Sequence, residues 1–174
     1  MIRISCVFFF FFFVVSCQSD PFVSSSLHPP LSGDEAYKEI VKRKSKFQHV
    51  TNTFETVYKL HVTHMSKDVS AVFAERFEKL FSRKQDVVVS EDDEVLFFVS
   101  VFSPNYKESD LANKHEWFLT LKVDGESYPL ERVVHLKNPR LWSNFFPYVT
   151  EYSKQFMLSF KRKFPEKKGE EVLL

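Results

Sequence analysis

Two histidines in an H-x-x-H pattern, His61 and His64, are the first candidates for a metal site. On a helix this spacing would place both imidazoles on one face, where they could bind the same ion. The residues from Thr53 to Thr63 instead alternate between apolar and polar types, which predicts a half-buried strand. Because an odd offset in a strand directs two side chains to opposite faces, we predict no metal site at these histidines.

The acidic run at 91–94 is the second candidate for cation binding. Calcium requires six to eight oxygen ligands from a shaped loop, and this run has neither the spacing of an EF-hand nor its turn glycine. We therefore favour a solvated acidic turn ahead of a hydrophobic strand, where its charges would also discourage aggregation.

Signatures of the common nucleophilic enzymes do not occur in the sequence. It contains no G-x-S-x-G elbow, and its only cysteines, Cys6 and Cys17, lie in or beside an N-terminal apolar run. We predict no catalytic residues and no cofactor. The alternative is an envelope enzyme, hydrolase-like in its chemistry, whose acidic or histidine residues come together only in the fold.

The segment 140–148 is rich in aromatic residues and begins with an arginine, a composition that is enriched at binding hot spots. One interpretation is a loop that binds a protein partner in the envelope, in which case Trp142→Ala would weaken partner capture and leave folding intact. The other is that the rings cap the end of the core. The candidate partner-binding residues are Trp142, Phe145, Phe146 and Tyr148.

The charge balance argues against a general polyanion binder. The chain has 24 basic and 23 acidic residues, and removal of residues 1–16 takes away one basic residue, Arg3, which leaves 23 of each. Proteins that bind nucleic acids non-specifically need a basic surface to displace counterions, so we predict no nucleic-acid partner. The basic tail from Lys161 to Lys168 could still touch anionic lipid.

The N-terminus has the layout of an export signal. Arg3 supplies a positive region, the run from Val7 to Val15 is apolar, and the small residue Ser16 stands before Cys17. This apolar core is too short to span a bilayer as a helix, which takes about 20 apolar residues. We predict that residues 1–16 are a signal peptide.

The motif Val14-Val15-Ser16-Cys17 resembles a lipobox, the four-residue signal of bacterial lipoproteins. In that family the cysteine is acylated, with palmitate-type chains, and becomes the first residue of the mature protein. Cys17 matches the acceptor and Ser16 the residue at the cut, whereas Val14 departs from the usual leucine. The alternative is an ordinary signal that leaves Cys17 as a free thiol.

The resemblance implies a lipid-anchored, extracytoplasmic protein of the cell membrane or outer membrane. In that family a residue other than Asp after the cysteine, here Gln18, accompanies transfer to the outer membrane where two membranes exist. Two or more acyl chains hold a protein stably at a membrane. The Ser- and Pro-rich residues 17–33 predict a flexible tether, residues 34–165 a single globular domain, and residues 166–174 a disordered tail.

Periodicity predicts a mainly β domain with helices. Apolar spacing predicts helices over about 34–44 and from Ser66 onward, the latter amphipathic and packed on a sheet. A run that is apolar on both faces predicts a central strand at 95–102, and Asp124-Gly125 predicts a hairpin. Further strands are predicted at about 53–63, 117–123, 128–136 and 153–162, with loops at 104–115 and 138–148 and with Pro129 at a strand start or on an edge.

These elements predict an α+β fold, as an antiparallel sheet or a small sandwich with one packed amphipathic helix. The domain also loosely resembles uncharacterised predicted lipoproteins, and this resemblance implies no activity. The pieces that carry it are Trp117, Pro129, Phe145-Phe146-Pro147, Tyr152 and the strand from Phe156 to Phe160.

Overall fold

Within the described residues, three helices are interspersed among six strands, and the strands all join one sheet. The computed structural model of this protein describes residues 34–52, 55–83 and 94–161. The elements in chain order are α1 (Asp34–Arg43), β1 (Ser45–Asn52), β2 (Glu55–His64), α2 (Lys67–Phe81), β3 (Glu94–Phe102), β4 (Thr120–Val123), β5 (Glu126–Leu136), α3 (Pro139–Trp142) and β6 (Lys154–Lys161).

The strands form a six-stranded sheet in the order β1-β2-β3-β6-β5-β4, with every neighbouring pair antiparallel. The predicted α+β class with an antiparallel sheet is therefore confirmed. The sheet is single and curled, and both α1 and α2 contribute buried residues to the core beneath it, where the sequence predicted one packed helix. The last strand in sequence, β6, lies in the middle of the sheet beside β3.

Each face of the sheet has its own hydrophobic core. We call the side covered by the helices and the segment 139–149 the helix face; Leu96, Phe98 and Met157 project into its core. We call the opposite side the inner face; its core contains Phe97, Val99, Val101, Phe156, Leu158 and Phe160, together with residues of β4 and β5 and with Leu111. β3 and β6 are buried on both sides, and most of their residues are apolar, as is typical of a covered strand. The helix-facing side of β6 is the exception, because the buried polar residues Gln155 and Ser159 flank Met157 there.

Caps define both ends of α2. Ser66 precedes the helix in an extended conformation, and its Oγ accepts a hydrogen bond from the Val69 amide. Ser82 follows in the left-handed region (φ 52°), and its amide donates to the carbonyl of Glu78. Between these caps, Val69, Phe73 and Phe77 recur at helical spacing and face the sheet, as the sequence pattern predicted.

The hairpin between β4 and β5 turns at Asp124-Gly125, as predicted. Both residues have positive φ, 50° and 84°, which a two-residue hairpin turn of the primed type requires. The expectation for Pro129 is wrong, because it pairs with Thr120 inside β5, which is an inner strand. The register on the β6 side breaks between Leu130 and Arg132, so the ladder is already irregular beside the position where proline cannot donate.

Three further boundaries differ from the sequence prediction. The strand β1 was not predicted, since only Ser45 and Val50 are half-buried and the rest of the strand is exposed. The strand predicted at 117–123 begins only at Thr120, and the loop predicted at 138–148 contains the short helix α3. Within the described residues, no helix is long and apolar enough to cross a membrane.

Candidate functional site

Cys17, the predicted lipidation site, lies outside the described residues, as do the rest of 1–33 and the tail from 162 onward. The candidate residues that the structure does describe are the four rings of the segment 140–148. All four are buried, with exposed fractions of 8% for Trp142, 1% for Phe145, 0% for Phe146 and 5% for Tyr148. The four rings therefore belong to the core, as the core-capping interpretation expects, and partner binding through them stays a prediction.

Aromatic packing explains this burial. Phe146 stacks on Phe98 of β3 at 3.7 Å between ring centroids, and Phe145 packs against Phe73 of α2 at 4.5 Å. Trp142 lies over the same Phe73, and its Nε1 donates to the carbonyl of Lys137 at 3.1 Å. Rings packed in this way stabilise the domain by burying apolar surface and by making favourable ring–ring contacts.

Hydrogen bonds fasten the same segment to both long helices. The Tyr37 hydroxyl of α1 donates to the Phe145 carbonyl at 3.0 Å, and Arg76 Nε of α2 donates to the Asn144 carbonyl at 3.0 Å. The Arg76 guanidinium also lies over the Tyr37 ring, 4.8 Å from its centroid. Burial raises the pKa of Tyr37 and lowers that of Arg76. The Tyr37 and Arg76 side chains therefore hold this segment in place through hydrogen bonds to its backbone.

Tyr148 begins a chain of buried hydroxyl groups. Its hydroxyl bonds to Thr63 Oγ1, which lies 2.6 Å from Ser45 Oγ, and Ser45 Oγ donates to the carbonyl of Val41 at 2.7 Å. Because a carbonyl only accepts, the single proton of Ser45 is committed to Val41. Thr63 must then donate to Ser45, and Tyr148 must donate to Thr63.

This fixed direction keeps the phenol of Tyr148 protonated. Burial raises its pKa far above the usual value, against the smaller lowering effect of the Thr63 and Ser45 hydrogen bonds. The chain of hydroxyls links the segment 140–148 to β2, β1 and the end of α1. It is a structural clasp in which each of the three hydroxyl protons is already donated inside the fold.

His61 lies between two aromatic rings on the helix face. Its imidazole is 4.6 Å from the Tyr148 ring at an interplanar angle of 5°, and 4.4 Å from the Phe47 ring of β1. Burial lowers its pKa to about 4, and the positive charge of Lys59 adds to the effect. The imidazole is therefore neutral near pH 7 and serves as a flat packing element between the edge of the sheet and the core.

The two histidines of the H-x-x-H pattern point to opposite faces, as the strand interpretation predicts. His61 stacks on Tyr148 on the helix face, whereas His64 contacts Phe97 on the inner face at 5.2 Å. Across the described ranges, no group of three or more His, Cys, Asp or Glu side chains lies close enough to hold a metal ion. Of the acidic run, only Glu94 is described, and it pairs with Arg132 Nη2 at 3.3 Å.

The sequence analysis did not identify a strip of basic residues along the edge of the sheet that β1 forms. Among the strands that the structure describes, β1 pairs with β2 alone and therefore lies at the edge of the sheet, and most of its residues are exposed. Four Lys or Arg residues and no acidic one occur from Lys42 to Asn52, and Lys59 of β2 pairs opposite His49. We call this surface the basic edge and define it as Arg43, Lys44, Lys46, Phe47, His49 and Lys59.

Phe47 shares the helix-facing side of the basic edge with His49 and Lys59, whereas Lys46, its neighbour in the strand, points to the opposite side. Phe47 is 52% exposed although its other side packs against His61. The run Lys-Arg-Lys-Ser-Lys-Phe at 42–47 was the signal that could have identified this surface in the sequence. The balanced total charge of the chain conceals this local excess of positive charge.

Comparison with known proteins adds no assignment. No protein-family model matches the chain, and neither the curated proteins nor the solved structures contain one that is significantly similar to it.

Proposed function

We propose that this protein is a membrane-anchored extracytoplasmic lipoprotein whose folded domain acts as a binding or structural module of the cell envelope. The observation that carries the proposal is the order of Arg3, the apolar run, Ser16 and Cys17 at the N-terminus. This order combines an export signal with a lipobox-like acceptor. The partners are the membrane, through lipid on Cys17, and a protein of the envelope.

The described domain suits a binding role in one respect. Its titratable groups with strongly shifted pKa, Tyr37, Tyr148 and His61, are used in packing and hydrogen bonding inside the fold. Among the described residues, the exposed aromatic side chains lie elsewhere, at Phe47, Phe81, Tyr106, Phe118 and Tyr152. We accordingly assign binding to the surface of the domain and no catalytic step to its interior.

Intact mass spectrometry of the protein extracted from native membranes tests the anchor. We expect a chain that begins at Cys17 and carries acyl mass. Cys17→Ala should abolish both the acyl mass and cleavage at that position, whereas the matched variant Cys6→Ala should keep both because Cys6 lies within the removed signal. A chain that still begins at Met1, or a cleaved chain without acyl mass, would overturn the proposal.

A further inference from the structure

We propose that the basic edge is the surface through which the domain docks on an anionic lipid bilayer beside its own anchor. This proposal rests on the proposed function, because it takes the domain to be held at a membrane.

Local charge is the first argument. Arg43, Lys46 and Lys59 are exposed, and no Asp or Glu intervenes between Lys42 and Asn52. The whole chain is almost neutral, with a formal charge of +1, so this concentration of positive charge is a local feature. Each basic residue near an anionic leaflet contributes about 1 kcal/mol, which corresponds to about a fivefold gain in affinity.

The exposed ring of Phe47 is the second argument. Lysines alone would bind any diffuse anionic surface, whereas an aromatic side chain among them gains further by entering the region between headgroups and acyl chains. Phe47 has over half of its surface available, at 52%, and its stacking on His61 holds it in place. The edge therefore combines charge with an apolar contact, as interfacial binding surfaces do.

Chain length is the third argument. Residues 17–33 separate the predicted anchor from α1, and a chain of this length spans at most about 60 Å. From its end, α1 leads directly to Arg43 at the start of the basic edge, and a ten-residue helix is about 15 Å long. The edge is thus within reach of the bilayer that Cys17 would enter, and the tether keeps its local concentration there high.

A second copy of the chain is a poorer occupant of this edge. Two copies joined at this edge would add a second set of the basic residues Arg43, Lys44, Lys46 and Lys59 to one interface, and this accumulation of positive charge opposes association. An acidic extended peptide has the right charge, and it enters the experiment as the competing result.

The experiment measures sedimentation of the full chain carrying Cys17→Ala with vesicles, so that no acyl chain contributes. One set of vesicles contains phosphatidylcholine alone, and the other contains equal parts of phosphatidylcholine and phosphatidylglycerol. The measured quantity is the ratio of the two affinities, so that any contribution of the N-terminal apolar run, which every variant carries, cancels when variants are compared.

The test variant combines Arg43→Gln, Lys46→Gln and Lys59→Gln. The matched control combines Lys107→Gln, Lys114→Gln and Lys122→Gln, three exposed lysines outside the basic edge, with Lys122 on the strand at the opposite side of the sheet. We expect the test variant to lower the ratio by about 100-fold and the control by less than about threefold. Thermal unfolding verifies that both variants fold.

Phe47→Ala separates the apolar contact from the charges. We expect this variant to weaken binding to the anionic vesicles at both low and high salt, whereas the charge-dependent part of the wild-type affinity decreases as salt rises. A loss for Phe47→Ala together with the loss for the triple variant supports interfacial docking.

Equal ratios for the test and control variants would overturn the proposal and leave the lysines as protection of an exposed edge against aggregation. Binding to a polyglutamate peptide, with no preference for anionic vesicles, would overturn it in favour of an acidic partner. The two proposals fail separately: acylation of Cys17 without the vesicle preference refutes only the docking surface, and the preference without acylation refutes only the anchor.

Discussion

At the scale of single residues, the environment of His61 makes the stability of the domain depend on pH. The imidazole packs between Phe47 and Tyr148, and burial lowers its pKa to about 4. In the unfolded chain a histidine titrates near pH 6.5, so the unfolded state binds the proton more tightly than the folded state. The stabilising difference is complete above about pH 6.5 and is lost as the pH falls towards 4.

We expect the free energy of unfolding to fall by about 1–2 kcal/mol between pH 7 and pH 4.5 because of His61, a value reduced for its partial exposure. His61→Phe keeps a flat ring between the same neighbours and removes the titration. Urea unfolding at several pH values should therefore show a shallower dependence for this variant. Identical slopes for His61→Phe and the wild type would show that another group is responsible.

At the scale of elements, the sequence was sufficient to predict a helix start or a turn where a particular residue type favours that conformation. Ser66 predicted the start of α2, and Asp124-Gly125 predicted the β4–β5 turn. β1 could not be predicted in this way, because an exposed edge strand has no need of alternation. Pro129 shows the opposite failure: the rule confines proline to edges or irregular ladders, and only the register reveals which of these applies.

Substitutions at the two residues of the hairpin turn should have different effects on the stability of the domain. Gly125 has φ 84°, and no atom lies within 4 Å of the place that a Cβ would take, so Gly125→Ala should destabilise the domain through backbone strain alone, by about 1 kcal/mol. Asp124 also has positive φ, at 50°, and Asp124→Gly should be neutral or stabilising. Thermal unfolding of both variants measures the difference, and a destabilising Asp124→Gly would contradict this account of the turn.

At the scale of the whole molecule, the segment 139–149 unites the helices with the sheet. Its rings meet Phe73 of α2 and Phe98 of β3, while its carbonyl groups accept from Tyr37 and Arg76. The helix-face core therefore depends on residues that are distant in sequence, and removing one ring from it should affect the entire domain.

We expect Phe146→Ala and Trp142→Ala each to lower the free energy of unfolding by about 3–5 kcal/mol, because each leaves a cavity among packed rings. Phe118→Ala is the matched control, since its ring is 95% exposed and its loss should change stability by less than about 0.5 kcal/mol. Chemical denaturation compares the three variants. A stable Trp142→Ala variant with impaired partner capture would instead support the partner-binding interpretation of this segment.

The sequence by itself determined the fold class, the two long helices, the central strand and the tight turn, because hydrophobic period and turn chemistry act over a few neighbouring residues. Only the tertiary structure decided the order of the strands, the burial of the aromatic segment and the position of the basic edge at the open side of the sheet. An aromatic-rich segment has the same composition in a core and at an interface. Which of the two it becomes depends on whether another element covers it, and here α2 lies against Trp142, Phe145 and Phe146.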